Sequence, residues 1–342
     1  MNPPRRADAF ASSDSAAFEP TPPRRRWGSI LRVLVSMTLL AILAMRIDLH
    51  AAADVILPAR PIGLALLLGI LIFERLFAAF RWHLLLRGRC PTVTYPALVR
   101  VTLVSNFVGA FLPGVIGVEA LRVLGLSRHG CNLAQAFTSV ILDRMLGVLS
   151  LLLMVLVGLS MTARLLPDMI VWLAWAGLAL LIVMTIALVN PMVRRSIDRL
   201  IPTALAHHLQ PRLDRLYTCI DAYQRQRGLL FIGVILAVAM QCVRVAATLA
   251  AAWALRLDIH VLDFFIFVPI IMFVTMIPVS IGGLGVREAA FAQLFGLAGM
   301  APEAAVVLSL LIFFMDLLAT LPGAWFYARG TLAPRQAQPS LP

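Results

Sequence analysis

Charged side chains stand inside several of the most apolar stretches of this sequence. If those stretches cross a bilayer, each ionisable group costs about 2.5 to 3.5 kcal/mol on insertion scales and is a functional candidate by default. Arginine offers several donors in a planar fork that fits a phosphate, whereas a carboxylate can pair with arginine or carry a proton. The two kinds occur in equal number: Glu74, Glu119, Asp143, Glu288 and Asp316, and Arg75, Arg122, Arg144, Arg244 and Arg287.

Two of these carboxylates are followed directly by an arginine, in Glu74-Arg75 and Asp143-Arg144. Adjacent residues of a helix do not face each other, so each of these side chains needs a partner on another segment. Two interpretations stay open for them, ion pairs that hold segments together or groups that act on a substrate. The predicted intramembrane charge network comprises Glu74, Arg75, Arg81, Asp143, Arg144, Arg244 and Asp316.

The composition decides which kind of protein positions these groups. Of the 342 residues, 61% are hydrophobic and 13% charged, against about 25% charged in an ordinary soluble domain. We therefore predict an all-α polytopic membrane protein. All 29 basic residues are arginines and the net charge is +12. No basic soluble domain accompanies this charge, so we expect no nucleic-acid partner and read the arginines as markers of orientation.

The cysteines give no sign of a cofactor. Cys90, Cys131, Cys219 and Cys242 are scattered without a CxxC pair, which excludes a zinc or iron–sulfur motif and gives no disulfide framework. We predict no metal and no cofactor. The first three of these cysteines fall on the predicted cytoplasmic side, where we expect them to be reduced.

Six apolar stretches are long enough to span a membrane: 30–45, 61–86, 133–161, 169–190, 229–255 and 303–328. Two more stretches, 97–125 and 264–299, are broken by proline and glycine. The arginine-rich connections all fall on one side only if each broken stretch enters and leaves the membrane on the same side. This predicts about six transmembrane helices plus two re-entrant hairpins of opposite orientation, with both termini cytoplasmic. Arginine used to the exclusion of lysine, with abundant Ala, Leu and Pro, suits a high-GC bacterium, and we expect the protein in the bacterial inner membrane.

The predicted organisation has three parts. A disordered tail occupies residues 1–29, an integral membrane domain residues 30–330, and a second cytoplasmic tail residues 331–342. The connection 191–227 is typical of an amphipathic helix on the cytoplasmic surface, although a docking site for a lipid-synthesis enzyme stays open. It separates a first repeat of about 61–161 from a second of about 228–328.

The two broken stretches share a pattern. Residues 106–122 read NFVGAFLPGVIGVEALR and residues 277–289 read IPVSIGGLGVREA. Each contains a proline, then glycines, then Gly-Val-Glu or Gly-Val-Arg-Glu. An arginine-bearing span precedes each stretch and an aspartate-bearing span follows it. Inverted repeats with broken helices are a feature of transporters whose site lies at the repeat interface, so these turns predict a site in the protein interior.

These motifs resemble the flippase-like family known from the lysylphosphatidylglycerol synthase transmembrane region, over roughly residues 60–330. Besides the two patterns above, Arg81-Trp82 and Asp143-Arg144 carry the resemblance. It implies translocation of a lipid or lipid-linked sugar between leaflets. Because this sequence lacks the soluble aminoacyl-transfer domain of the founding synthases, lysyl transfer is not implied. The candidate substrate-binding residues are Asn106, Pro113, Gly117, Glu119, Arg122, Ser280, Gly282, Gly283, Gly285, Arg287 and Glu288.

Helices that begin after Gly117 and Gly285 would point their N-termini toward the membrane midplane, where amide groups favour a phosphate. Glu119 and Glu288, in the predicted first turns, either satisfy those N-termini or titrate during transport. We expect an anionic lipid head group as substrate and no catalytic residue. A membrane-embedded lipid-modifying transferase and a small-solute secondary transporter stay open as alternatives.

Overall fold

The computed structural model describes residues 54–87, 89–110, 115–162, 226–258, 260–276 and 284–329, with scattered residues between 172 and 221. The continuous described ranges form eight helices, the scattered residues are helical almost throughout, and no described residue lies in a strand, which confirms the predicted all-α class. The helices are α1 (Pro61–Leu86), α2 (Tyr95–Ala110), α3 (Val115–Arg128), α4 (Leu133–Thr162), α5 (Arg227–Ala254), α6 (Val261–Thr275), α7 (Val286–Leu297) and α8 (Pro302–Ala328).

Four helices, α1, α4, α5 and α8, are long and apolar enough to cross a membrane. Even the shortest of them, α1 with 26 residues, extends about 39 Å at 1.5 Å per residue, more than the roughly 30 Å hydrocarbon core. A proline opens α1 and α8, where its fixed φ suits a helix start. The four long helices match four of the six predicted spans. The predicted span 30–45, and most of 169–190, lie outside the described residues.

The two broken stretches are each a pair of shorter helices. The longest of these, α2 with 16 residues, extends only about 24 Å, too short to span the hydrocarbon core. Helices α2 and α3 run antiparallel, since Gly109 packs against Val118 and Gly125 packs against Val101. In the second pair, the Phe264 ring of α6 lies 5.0 Å from the Phe295 ring of α7. Entry of each pair from a single membrane face stays a prediction.

Helices α1 and α5 pack antiparallel at the centre. The Arg60 amide, just before α1, donates to the Ala254 carbonyl at the end of α5 at 2.8 Å. A Cβ added to Gly63 would lie 2.7 Å from the Ala254 Cα, so the two backbones approach closely. Small residues at such a contact allow tight van der Waals packing, which drives helix association in membranes.

The packing of the eight helices has a regular scheme. Helix α1 packs on α5, α2 on α8 and α6 on α4, while α3 packs on α4 and α7 on α8. Helix α1 also contacts α2, α4 and α8, and α5 contacts α6, α8 and α4. Exchanging α1 with α5, α2 with α6, α3 with α7 and α4 with α8 turns each substantial contact between described helices into another one that is present.

Two helix starts differ in their agreement with the sequence. Helix α7 begins at Val286, directly after Gly285, as predicted. Helix α3 begins at Val115 rather than after Gly117, so Glu119 is its fifth residue and stands outside the first turn. The prediction that places Glu119 in a first turn is wrong, because the helix forms through a glycine that was expected to precede it.

The structure also contradicts the prediction that Cys90 and Cys131 are reduced and that the chain has no disulfide framework. Cys90, between α1 and α2, forms a disulfide with Cys131, between α3 and α4. The hairpin brings these connections together, with the two Cα atoms 5.4 Å apart, although 41 residues separate them in sequence. Cys242 is exposed and forms no disulfide with another described cysteine. Cys219 lies outside the described residues.

Candidate functional site

The first cluster of charge lies where α1, α3 and α4 meet. Arg81 of α1 donates from Nε to Oδ1 of Asp143 at 2.9 Å, and its Nη2 lies 2.8 Å from the same oxygen. Both side chains are buried, with exposed fractions of 9% and 8%. Arg122 of α3 reaches Oδ2 of the same carboxylate from Nη1, at a longer 3.4 Å. Two arginines therefore share one aspartate.

Arg122 keeps hydrogen-bonding capacity after these contacts. Its Nε is buried and has no hydrogen-bond partner among the described residues. Its guanidinium lies over the Trp82 ring, 5.3 Å from the ring centre, a favourable cation–π geometry. The indole Nε1 of Trp82 donates to Ser139 Oγ at 3.3 Å, which fixes the ring. Arg122 is thus a mostly buried cation with one face on an aromatic ring and a donor still free.

The most exposed ion pair among the described residues lies beside this cluster. Arg144 of α4 lies 3.4 Å from Glu119 of α3, and their side chains are 41% and 31% exposed. Asn106 of α2 and Gly117 of α3 are half-buried near the same end of the hairpin. Pro113 lies outside the described residues, as do Ser280, Gly282 and Gly283 of the second hairpin, so their predicted roles stay predictions.

The second hairpin is organised differently. Gly285, just before α7, has a φ of 84°. A residue with a side chain would be strained in this backbone conformation. The Gly285 amide donates to Glu288 Oε2 at 2.6 Å, so this glutamate satisfies the start of the helix. The other oxygen, Oε1, accepts from Arg287 Nη2 at 2.6 Å and from Ser309 Oγ at 3.2 Å. Glu288 is fully buried and saturated with donors.

The guanidinium of Arg287 donates hydrogen bonds to partners within the protein. Besides its bond to Glu288, its Nε donates to Ser309 Oγ of α8 at 3.0 Å. Its guanidinium lies 4.9 Å from the centre of the Phe313 ring. The sequence does not single out Ser309; its signal is a hydroxyl in the first third of a long apolar run.

Glu74 and Arg75 are neighbours on α1, and each forms an ion pair with a different helix of the group α5–α8. Glu74 accepts from Arg244 Nε of α5 at 2.9 Å, while Arg75 pairs with Asp316 of α8. The prediction that adjacent charged residues find partners on other segments is confirmed. In both cases the partner lies in the other group of helices, so these pairs join α1–α4 to α5–α8.

A glutamine extends this polar chain to α4. Gln241 accepts from Arg244 Nη1 at 3.3 Å and donates to Ser150 Oγ at 3.1 Å. It also donates to the Gly147 carbonyl at 3.3 Å. Gln241 was missed as well, although its position one turn before Arg244 in an apolar helix is a usable signal. Hydrogen bonds thus link Glu74 of α1, through Arg244 and Gln241 of α5, to Ser150 of α4.

The site suits anion binding better than metal binding. Within the part of the chain that the structure describes, no group of three His, Cys, Asp or Glu side chains could hold a metal ion. Guanidinium groups at low dielectric attract anions strongly. The free donor of Arg122, rather than the occupied Arg287, is the group best prepared to receive one.

Comparison with known proteins agrees with the helical architecture and the motifs. No curated protein matches this chain individually. A family model described as the lysylphosphatidylglycerol synthase TM region matches residues 29–323, which includes all eight helices up to the last turns of α8. The chain belongs to the family of the lysylphosphatidylglycerol synthase transmembrane region.

Proposed function

We propose that this protein moves a lipid with an anionic head group, or a lipid-linked sugar, between the leaflets of the bacterial inner membrane. Membership of the family indicates a membrane function related to lipids. The proposal goes further, to translocation through the polar seam between α1–α4 and α5–α8. The observation that carries it is Arg122, a mostly buried arginine that shares with Arg81 the one carboxylate it contacts among the described residues, and whose Nε has no hydrogen-bond partner among them.

Two inverted repeats are part of the proposal. The exchange of α1–α4 with α5–α8 that preserves the packing scheme supports them, as does the shared Pro/Gly pattern of the two hairpins. In transporters with inverted repeats the substrate site lies near the midplane at the repeat interface. The ion pairs that join Glu74 to Arg244 and Arg75 to Asp316 lie at that interface.

The orientation follows from the arginines and from helix length. Arginines cluster at 81–100 and 194–227, so the positive-inside rule puts these connections and both termini in the cytoplasm, although the Cys90–Cys131 disulfide beside the first cluster is a bond that a reducing cytoplasm disfavours. Helices α2, α3, α6 and α7 are too short to span, which supports hairpins that enter and leave on one face. Irregular backbone at a hairpin tip is tolerated in a membrane when it is buried in protein or lines a wet cavity.

In this mechanism the head group leaves the leaflet, enters the polar seam and contacts Arg122, while the acyl chains stay in lipid. The Glu119–Arg144 pair, the most exposed pair of the first hairpin, lies next to this position and separates as the head group passes. Because the substrate replaces water around the guanidinium, its charge is never left alone in low dielectric.

The test is translocation of a fluorescent phosphatidylglycerol in proteoliposomes, read as the fraction protected from an external quencher. Wild-type protein should exchange the probe faster than protein-free vesicles. Arg122→Gln should lower the rate by about tenfold to a hundredfold, since a charge-assisted hydrogen bond contributes about 1.5 to 3 kcal/mol and 1.4 kcal/mol is a factor of ten. Arg227→Gln, an exposed arginine at the start of α5, is the matched control and should keep the wild-type rate. A wild-type rate for correctly folded Arg122→Gln would overturn the site.

A further inference from the structure

We propose that Cys90 and Cys131 are a reversible redox pair on the cytoplasmic side, and that closing their disulfide restrains the first hairpin and slows transport. The effect on transport rests on the proposed function, whereas oxidation and reduction of the pair do not depend on it. Cys90 lies between α1 and α2, and Cys131 lies between α3 and α4. The structure describes the oxidised state, in which the two Cα atoms are 5.4 Å apart.

The pair lies at an arginine-rich end of the first four helices. Arg87 and Arg89 stand just before Cys90, and Arg128 stands just before Cys131. The positive-inside rule therefore places both sulfur atoms on the cytoplasmic side. Disulfides in a reducing cytoplasm are usually transient, and are either catalytic or redox-sensing. A disulfide in this position is thus expected to open and close with the redox state of the cell.

The surroundings of the pair suit the two thiols as well as the disulfide. Gln135 Oε1 of α4 lies 3.6 Å from Cys90 Sγ and 4.0 Å from Cys131 Sγ. A disulfide sulfur has no hydrogen to donate, but a thiol is a weak donor, so this oxygen is an acceptor for either thiol once the bond is open. Thr92 Oγ1 donates to the His129 carbonyl at 2.9 Å, which joins the same two connections without the disulfide.

The pair is also close to the protein surface. The two cysteines are themselves buried, with exposed fractions of 4% and 5%, but their neighbours in sequence are exposed. Pro91 follows Cys90, and Gly130 and Asn132 stand on either side of Cys131. A small thiol or disulfide therefore reaches the sulfur atoms after a local opening of the connections, without unfolding of the helices.

The reaction is thiol–disulfide exchange with a small-molecule disulfide, for which oxidised glutathione is the probe. One cysteine thiolate attacks the disulfide and releases one glutathione thiol, and the other cysteine attacks the mixed disulfide and releases the second. The two cysteine sulfurs lose two electrons in total, which the two glutathione sulfurs gain together with the two thiol protons. Dithiothreitol in excess reverses the exchange.

The bond acts on the candidate site through packing. Both cysteines belong to a buried cluster that includes Trp82 of α1 and Val123 of α3, with other members from α2 and α4. The Trp82 ring in turn lies against Arg122. Because the disulfide ties the α1–α2 connection to the α3–α4 connection, it restrains the hairpin relative to α1 and α4. The proposed passage separates Glu119 of α3 from Arg144 of α4, so we expect oxidation to slow it.

The first measurement follows the bond in bacterial cells that express the full chain. Acid-quenched, denatured samples are labelled with a polyethylene glycol maleimide, and the gel shift gives the number of free thiols. We expect all four cysteines to be labelled in untreated cells, and Cys90 and Cys131 to lose their labels after exposure to diamide, as peptide mass spectrometry identifies. A pair already oxidised in untreated cells overturns the proposal, because a bond that is always closed regulates nothing. A pair that stays reduced in diamide overturns it too.

The second measurement is the rate for the fluorescent phosphatidylglycerol in proteoliposomes equilibrated with dithiothreitol or with oxidised glutathione. The oxidised wild type should be several-fold slower than the reduced protein, and dithiothreitol should restore the rate. The double variant Cys90→Ser/Cys131→Ser should have one rate under both conditions, as should Cys131→Ala, made as a second variant because both positions are buried. Cys242→Ser, at an exposed cysteine outside the pair, is the control and should respond like wild type.

Gel filtration of the purified variants checks that each is folded. Equal wild-type rates in both redox states, or a response that persists in the folded double variant, overturn the proposal and leave translocation standing. Wild-type rates equal to those of protein-free vesicles in both states refute the proposed function and, with it, the effect on transport. Reversible labelling in cells would then still support the redox pair.

Discussion

The shared carboxylate of Asp143 predicts an unequal response to three single substitutions. Asp143→Asn keeps the shape of the side chain and removes its charge, which leaves Arg81 buried without a counter-ion. Removing one partner of a buried ion pair costs about 3 to 5 kcal/mol, and Arg81 makes both of the short contacts. We expect this variant to lose about that much free energy of unfolding.

The two arginines should matter less, and to different degrees. After Arg81→Gln, the carboxylate keeps Arg122 as a partner at 3.4 Å, so we expect a loss of about 1.5 to 3 kcal/mol, the range for a hydrogen bond to a charged group. Arg122→Gln loses that longer contact and the stacking on Trp82, together about 1 kcal/mol. It also removes the repulsion between Arg122 and Arg81, which share one carboxylate, so the net loss should be below about 1 kcal/mol.

The assay is unfolding by SDS in mixed micelles, followed by far-ultraviolet circular dichroism. Asp263→Asn is a suitable control, because this carboxylate stands in the first turn of α6 and has no ion pair among the described residues. Its loss should stay below about 1 kcal/mol, the size of a helix-dipole contact. The reasoning is refuted if Arg122→Gln destabilises as much as Asp143→Asn, or if Asp143→Asn matches the control.

Three further outcomes are expected in the same unfolding assay. Gly63→Val should cost about 1 to 3 kcal/mol of unfolding free energy by overpacking against the α5 backbone. Gly69→Val should cost little, because a Cβ added there would meet no other described part of the protein within 4 Å. Equal losses would contradict the close α1–α5 contact. Gly285→Ala should cost about 1 to 3 kcal/mol because its φ of 84° strains any side chain, and a neutral effect would argue against that helix start. Arg75→Asp and Asp316→Arg should each lower stability while the double reversal restores most of it, and additive losses would show that the two side chains do not pair.

The sequence predicts the long helices of this fold well, for a physical reason. A membrane span is a run of about twenty apolar residues, a property that does not depend on contacts elsewhere in the chain. The bounds predicted for α1 agree with the structure at both ends, and those for α4, α5 and α8 agree within two residues. Pro and Gly predict the two broken stretches, but the predicted start of α3, after Gly117, is three residues later than the observed start at Val115.

The choice of partners could not be obtained in this way. Charged residues in apolar runs indicate that they have partners, because an unpaired charge in lipid costs too much free energy. Which carboxylate meets which arginine depends on how the helices pack, as with Glu74 and Arg244, which are 170 residues apart. The Cys90–Cys131 disulfide was missed for the same reason, because only the α2–α3 hairpin brings the two connections together.

The two hairpins show how a repeated motif can diverge in chemistry. In sequence both have a glutamate and an arginine after a glycine and look equivalent, but these residues stand in the first turn of α7 and at the fifth and eighth positions of α3. In α7 the neighbouring α8 supplies a hydroxyl and an aromatic ring that occupy Arg287, and Glu288 turns back to its own helix start. In α3 the neighbouring α4 supplies a carboxylate that Arg81 already holds. Arg287 is therefore bound by partners within the protein, whereas Arg122 keeps a donor that can bind a ligand.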